Sequence, residues 1–208
     1  MHFTDRRDAG RRLAAALGPR PGAVVAGLPR GGVPVAAEVA AALGAALDVC
    51  VVRKLGVPWQ PELAMGAVGE DGALVLDQQV LRATRVTPDQ LAAVERAERA
   101  ELARRAARYR GGRPPLPLAG RTVVVVDDGL ATGSTARAAC RTLRQRGAAH
   151  LVLAVPVAPA GWRAELAGEA DELVCPYEPE RFGAVGAFYA DFGQTSDREV
   201  LEILARGA

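Results

Sequence analysis

The chain has 208 residues, half of them apolar, and a formal net charge of +2. That is enough chain to bury a full core as one domain over 1–208, or one domain with a small appendage. So small a charge gives no reason to expect nucleic acid as a partner, and no apolar stretch approaches the ~20 residues of a membrane span.

Usage is otherwise skewed: there is no Asn, one Ile (Ile203) and one Lys (Lys54) against 25 Arg. Coding bias explains the pattern, although few Asn and Cys also suit a heat-stable protein. Cys50, Cys140 and Cys175 are odd in number, widely spaced and set in apolar context. Reduced, buried thiols in a cytoplasmic protein are the default expectation.

Residues 4–17 read as a helix, with Thr4 as N-cap, Asp5 and Asp8 in the first turn, and an apolar stripe of Ala9, Leu13, Ala16 and Leu17. Ala23 to Gly27 is a short buried strand. Leu28-Pro29-Arg30-Gly31-Gly32 then turns into an Ala-rich helix from about Pro34 to Leu43. Two glycines there permit positive φ and close approach of backbone to an anion, and Arg30 adds a full charge; a turn that merely needs glycine is the alternative. Asp48 to Arg53 is the next strand, with Arg53-Lys54 as its charged exit. In a chain this poor in lysine, Lys54 is either a chance survivor or a place where an ammonium is wanted.

Leu55 to Glu70 has the glycines and prolines of an irregular flap, with a strand near Ala64 to Val68 and another at Ala73 to Leu76. Packing inside the loop is the commoner use of a tryptophan such as Trp59. Thr87-Pro88-Asp89-Gln90 is a strong helix start: threonine cap, Pro at the first position, Gln at the capping-box position. The helix runs to about Tyr109. Its apolar line of Leu91, Val94, Leu102 and Tyr109 is so narrow that the helix is expected on the surface or against a second subunit, which makes a homodimer an option. Its arginines interleave with Glu95, Glu98 and Glu101, unlike a nucleic-acid surface.

Thr122 to Val126 are five β-branched residues with no polar alternation, a strand buried on both faces. Asp127 and Asp128 follow at its carboxyl end, the edge where open α/β sheets bind ligands. The turn Gly129 to Thr135 carries two glycines and three hydroxyls and leads into a helix at about Ser134. Free N–H groups and the positive dipole end at such a helix start make an anion cradle, to which Thr132, Ser134 and Thr135 add hydroxyls. Ser134 by itself also fits a plain N-cap. Nucleotide loops of the Gly-x-Gly-x-x-Gly and Gly-Lys-Ser/Thr kinds are missing from strand ends. Further strands fall at Leu151 to Val155 and Glu172 to Cys175, and helices at Trp162 to Leu166 and Arg198 to Leu204. Strands alternating with helices predict an α/β fold with a mainly parallel, doubly wound sheet.

Val-Val-Val-Val-Asp-Asp-Gly-Leu-Ala-Thr-Gly-Ser-Thr, residues 123–135, resembles the 5-phosphoribosyl diphosphate (PRPP) binding motif of the type I phosphoribosyltransferases. The resemblance implies that Asp127 and Asp128 hold the ribose 2- and 3-hydroxyls and that Gly129, Ala131, Thr132, Gly133, Ser134 and Thr135 surround the 5-phosphate. It makes Leu28 to Gly32 similar to the family's pyrophosphate loop, with Arg30, Gly31 and Gly32 as contacts and a non-proline cis peptide between Pro29 and Arg30. It tilts Arg53 and Lys54 toward PRPP phosphates and implies a flap that closes over the sugar, with Trp59, Gln60 and Glu62 as its candidate contacts. It brings Mg²⁺ as cofactor, held by PRPP near Asp127 and Asp128 with no ligand supplied directly by the protein. Pro179 to Asp191 resembles the base-binding segment of the 6-oxopurine members, with Phe182 as the stacking ring and Asp191 as the acid. Residues 156–161, however, lack the lysine those members use on the purine carbonyl.

The expected function is therefore transfer of 5-phosphoribose from PRPP to a nitrogenous base, with Asp127, Asp128, Arg30 and Lys54 carrying the chemistry. The alternative is a PRPP-binding regulator without turnover. A metal-dependent phosphohydrolase would need further His or Asp ligands around the acidic pair, and none stands near it in sequence.

Overall fold

The computed structural model describes residues 2–206. Strands β1 (Val24–Gly27), β2 (Ala46–Val49), β3 (Val52–Val57), β4 (Gln60–Gly69), β5 (Leu74–Leu76), β6 (Thr122–Val126), β7 (His150–Ala154) and β8 (Glu172–Val174) are interspersed with helices α1 (Arg6–Leu17), α2 (Gly32–Leu43), α3 (Gln78–Thr84), α4 (Pro88–Arg110), α5 (Ser134–Gln145), α6 (Trp162–Glu165) and α7 (Asp197–Arg206). The uniformly apolar runs form the centre. β2-β1-β6-β7-β8 make one sheet with every pairing parallel. Its two faces are covered, by α1 and α2 on one side and by α5 and Trp162 on the other. This is the doubly wound arrangement expected from the alternation of strand and helix.

From β1 the chain winds outward through α2 to β2, whereas from β6 it winds the opposite way to β7 and β8. The neighbours β1 and β6 thus form the topological switch point, and the loops leaving their carboxyl ends diverge around a crevice. Residues 28–32 and 127–133 are those loops.

Four local expectations change. The strand expected over 48–53 is two strands: the Cys50 amide donates to the Gly27 carbonyl as the last rung of the parallel sheet, and the Val51 amide turns to Glu70 instead. Arg53 and Lys54 are therefore inside β3, in a second, antiparallel sheet ordered β3-β4-β5, and are not a strand exit. The flap is a β3–β4 hairpin with Pro58 and Trp59 at its turn and register shifts on either side of Gly56; Trp59 is 56% exposed and does not pack inside. Helix α3, not expected from the sequence, follows its cap Asp77, whose carboxylate accepts from the Gln79 and Val80 amides. At the N-terminus the cap of α1 is Asp5, not Thr4; Asp5 accepts from the Asp8 amide while the Thr4 amide donates to Asp8.

Helix α4 starts on the expected capping box between Thr87 and Gln90. Its stripe needs no second subunit for cover, because Leu102, Ala106 and Tyr109 pack with Leu55, Val57, Met65 and Val68 of the hairpin. The joint between the two sheets is ionic. Arg110 donates Nε to Asp48 at 3.1 Å, both Nη atoms to Glu70, and Nη2 to the Val49 carbonyl at 2.7 Å. All three charged residues are under 10% exposed. Phe3, Val157, Phe188 and Tyr189 form a small hood cluster, where Phe3 bridges Tyr189. Cys50 and Cys140 are buried, Cys175 is half-buried, and all three are free. Burial pushes the Cys140 and Cys175 thiols up to about 12 and raises Cys50 as well. Among the described residues no helix is long and apolar enough to cross a membrane.

Candidate active site

The two switch-point loops touch. A Cβ built on Gly31 would lie 2.0 Å from Asp128 Oδ2, and one on Gly32 would lie 2.7 Å from the Val126 carbonyl and 2.8 Å from Asp127 Cα. These glycines are needed for close approach, not for positive φ: Gly31 has φ −61°. The Pro29–Arg30 peptide is cis, as the resemblance implies. The loop amides are not equivalent, however. The Gly32 amide already donates to the Leu28 carbonyl at 3.0 Å, and the Val33 amide to Arg30 at 3.2 Å. No acceptor within the described residues takes the Arg30 or Gly31 amide, so these two, rather than the Gly31-Gly32 pair, are open to an anion.

The phosphate turn has the same character. Gly133, at φ 71°, occupies the N-cap position of α5, so Ser134 is the first helical residue and not the cap. No side chain caps this helix. Its first amides are left free, as an anion site requires. Ala131, Thr132, Ser134 and Thr135 are exposed around them, and Thr132 and Ser134 share a 3.2 Å hydroxyl contact. Gly129 has no room for a side chain, because a Cβ would meet Val185 of the hood at 2.5 Å.

Between these loops stand the carboxylates. Asp127 Oδ1 accepts from the Asp128 amide at 2.9 Å, and Asp128 Oδ2 accepts from Arg6 Nε at 2.8 Å. Asp127 Oδ2 and Asp128 Oδ1 accept nothing among the described residues. Burial, together with the neighbouring Asp128 charge, raises Asp127 well above the ordinary carboxyl range. Burial also raises Asp128, against the opposing pull of Arg6. Two carboxylates held a residue apart, desolvated and each with one open oxygen, match two vicinal hydroxyl donors.

The remaining expected site residues are more scattered. Arg30 turns its side chain toward α7, with Nη1 4.0 Å from Asp197, in a cavity of about 390 Å³ shared with Arg104, Arg105 and Arg108. Arg53 pairs with Glu98 of α4 at 2.7 Å. Lys54, one residue on, projects from the other face of β3, the face on which Val52 packs toward the α5 core. It reaches Glu62 at 3.3 Å, an exposed and readily exchanged partner. Phe182 stacks on Phe188, centroids 5.3 Å apart, against the hood cluster. Asp191 is exposed and accepts from the Gly193 amide at 3.0 Å.

Three residues at the edge were not anticipated from sequence: Arg6, Tyr189, whose hydroxyl donates to the Asp128 carbonyl, and Phe192, whose ring lies 4.0 Å from the Arg6 guanidinium carbon. One arginine among 25 carries no signal of its own, and the contact to Asp128 spans 122 positions.

A phosphoribosyl transferase domain profile matches residues 18–184, which contain both switch-point loops. The chain belongs to the phosphoribosyltransferase family. A Mycobacterium tuberculosis protein provisionally named a phosphoribosyl transferase is 57% identical over 206 residues, covering 98% of this chain and 46% of its own length. The chain thus spans about half the length of the curated relatives it matches. An adenine phosphoribosyltransferase of Kineococcus radiotolerans is 56% identical over 50 residues, 23% of this chain and 27% of that one. Among solved structures, TT1426 from Thermus thermophilus is 47% identical with a TM-score of 0.88, covering the whole of both chains. The phosphoribosyltransferase fold expected from the sequence is therefore the fold observed.

Proposed function

We propose that this phosphoribosyltransferase-family chain transfers the 5-phosphoribosyl group from PRPP to a nitrogenous base and releases pyrophosphate. The observation that carries the reading is the pair of open oxygens, Asp127 Oδ2 and Asp128 Oδ1, between two uncapped sets of loop amides at the switch point. The carboxylates receive the ribose 2- and 3-hydroxyls. The amides and hydroxyls of Ala131 to Thr135 receive the 5-phosphate, and the Arg30 and Gly31 amides receive the pyrophosphate, with Lys54 exchanging Glu62 for a phosphate oxygen.

In the reaction the bond from C1 to the pyrophosphate oxygen breaks and a nitrogen of the base bonds to C1. The transition state has the oxocarbenium character of glycoside cleavage. Positive charge grows on the sugar beside Asp127 and Asp128 while negative charge leaves toward the 28–32 loop, so both are met by groups already in place. No cluster of three carboxylate, imidazole or thiol ligands stands ready among the described residues. The donor set suits Mg²⁺ carried by substrate phosphates and water near Asp127 and Asp128, where it would neutralise pyrophosphate charge.

A specific observation favours a second reading. Phe182 and Asp191, the matches to a base-binding segment, are engaged with Phe188 and Gly193 within the protein. PRPP binding without transfer, as in a regulatory protein, is compatible with that. Pyrophosphate release from Mg²⁺-PRPP across a panel of nucleobases separates the two: base-dependent release is the expected result, and binding without release supports the regulator. No affinity for PRPP in calorimetry would sink both.

A further inference from the structure

Arg6 spans three parts of the molecule. From the first turn of α1 its Nε donates to Asp128 Oδ2 at 2.8 Å, its Nη1 donates to the Gly193 carbonyl at 2.7 Å, and its face lies against Phe192. The Arg6 and Asp128 side chains retain only 13% and 15% of their exposure. Phe192 packs in turn on Tyr189, centroids 4.9 Å apart with the rings tilted by 35°, and Tyr189 donates to the Asp128 main chain. Asp128 is therefore tied to the 189–193 segment twice, through its side chain and through its carbonyl.

We propose that Arg6 is a positioning residue that fixes the rotamer of Asp128, so that Oδ1 stays turned to the ribose while Oδ2 is held, and seats the 189–193 segment over the same edge. The inference rests on the reading of Asp128 as a ribose-binding carboxylate. A plain surface ion pair would leave both partners solvated; here the pair is enclosed and one carboxylate oxygen is kept free. Arg suits the place because three simultaneous contacts, two from its N–H edge and one from its flat face on Phe192, need a planar guanidinium fork that a lysine ammonium does not supply. Gly31 has no side chain because Arg6 and Asp128 fill that space: its Cβ would lie 3.2 Å from Arg6 Nε.

Charge follows geometry. The groups facing Asp128 are Asp127 from its own loop, Arg6 from α1 and the neutral Tyr189 hydroxyl from the hood. Burial raises the Asp128 carboxyl and Arg6 lowers it. Without Arg6 the carboxylate loses both its orientation and the cation that keeps it ionised.

The test uses the full chain with Arg6→Gln and Arg6→Lys. Carboxyl ¹³C titration, with the Asp128 signal identified by its loss in Asp128→Asn, reads ionisation without any turnover. In Arg6→Gln the Asp128 midpoint moves upward, and kcat/KM for PRPP falls at least about tenfold near pH 6.5, the order expected for one charged hydrogen bond, with the deficit shrinking toward about pH 9. Arg6→Lys restores the titration but not the full kcat/KM. If Arg6→Gln leaves both the midpoint and kcat/KM within about twofold, or lowers only the melting temperature, Arg6 is structural and the proposal is overturned. Should the native protein neither bind nor turn over PRPP, the ribose reading fails, and the titration still judges Arg6 on its own.

Discussion

Asp48 and Glu70 flank Arg110 at the joint of the two sheets, and Asp127 and Asp128 stand side by side at the end of β6; both pairs are acidic and sheltered, and each has one arginine. The difference lies in how much of the arginine each pair receives. Arg110 gives all three of its nitrogens to Asp48, Glu70 and the Val49 carbonyl, and the remaining Asp48 oxygen takes the Leu116 amide at 3.0 Å. Surrounded by carboxylates, Arg110 is itself held more firmly protonated than usual. Arg6 gives only Nε to Asp128 and nothing to Asp127, which burial and its neighbour raise well above the ordinary carboxyl range. Where one arginine meets both carboxylates the pair is a structural joint; where it meets only one, the other carboxylate is buried with no cation of its own, the kind of perturbed group that marks a candidate ligand site.

The contrast can be broken most severely at Arg110. Arg110→Met strands two buried carboxylates and is expected to cost about 3–5 kcal/mol, read as a lower urea midpoint. Stability equal to that of the parent chain would show that the joint is not ionic in effect. Next in size is Asp128→Asn, expected to lower PRPP turnover at least about tenfold, or ~1.4 kcal/mol, with the melting temperature nearly kept. Unchanged turnover refutes the carboxylate's role.

The smallest effect sharpens the comparison from the other side. Because burial and the neighbouring Asp128 charge raise the Asp127 carboxyl above its ordinary value in the folded chain, the folded state binds more protons than the unfolded state between the two values. Stability is therefore lost as pH rises through that window. Asp127→Asn removes the penalty, so its melting temperature should exceed that of the parent at about pH 8, and the two should converge near pH 4. A variant less stable than the parent at both pH values would mean that Asp127 is satisfied after all.

How much of this could be read beforehand depended on whether the signal was local. β6 was legible to its bounds because five β-branched residues in a row, ended by charge, have no helical alternative. The capping box of α4 was legible for the same reason, since its two partners lie three residues apart. The run from Asp48 to Arg53 misled because nothing in its uniform apolarity marks where the chain leaves one sheet for another. Glu70, nineteen residues on, makes that break by accepting the Val51 amide. The helix start at Ser134 was legible too; what propensity alone left open was whether that serine is a plain cap, and the structure puts Gly133 at the cap position, which leaves the helix uncapped and opens its amides. The narrow stripe of α4 was read rightly, but its cover came from the chain's own hairpin.

By itself the sequence determined the alternation of strand and helix, the acidic pair at a strand end, the glycines of two turns and the family resemblance they carry, because each is written in neighbouring residues. Only the tertiary structure decided that the two turns share one crevice, that Arg6 rather than another of 25 arginines reaches Asp128, and that Arg110 meets both Asp48 and Glu70 while Asp127 meets no arginine. Those facts depend on contacts between residues far apart in the chain, and the value of a charge is set by what surrounds it after folding.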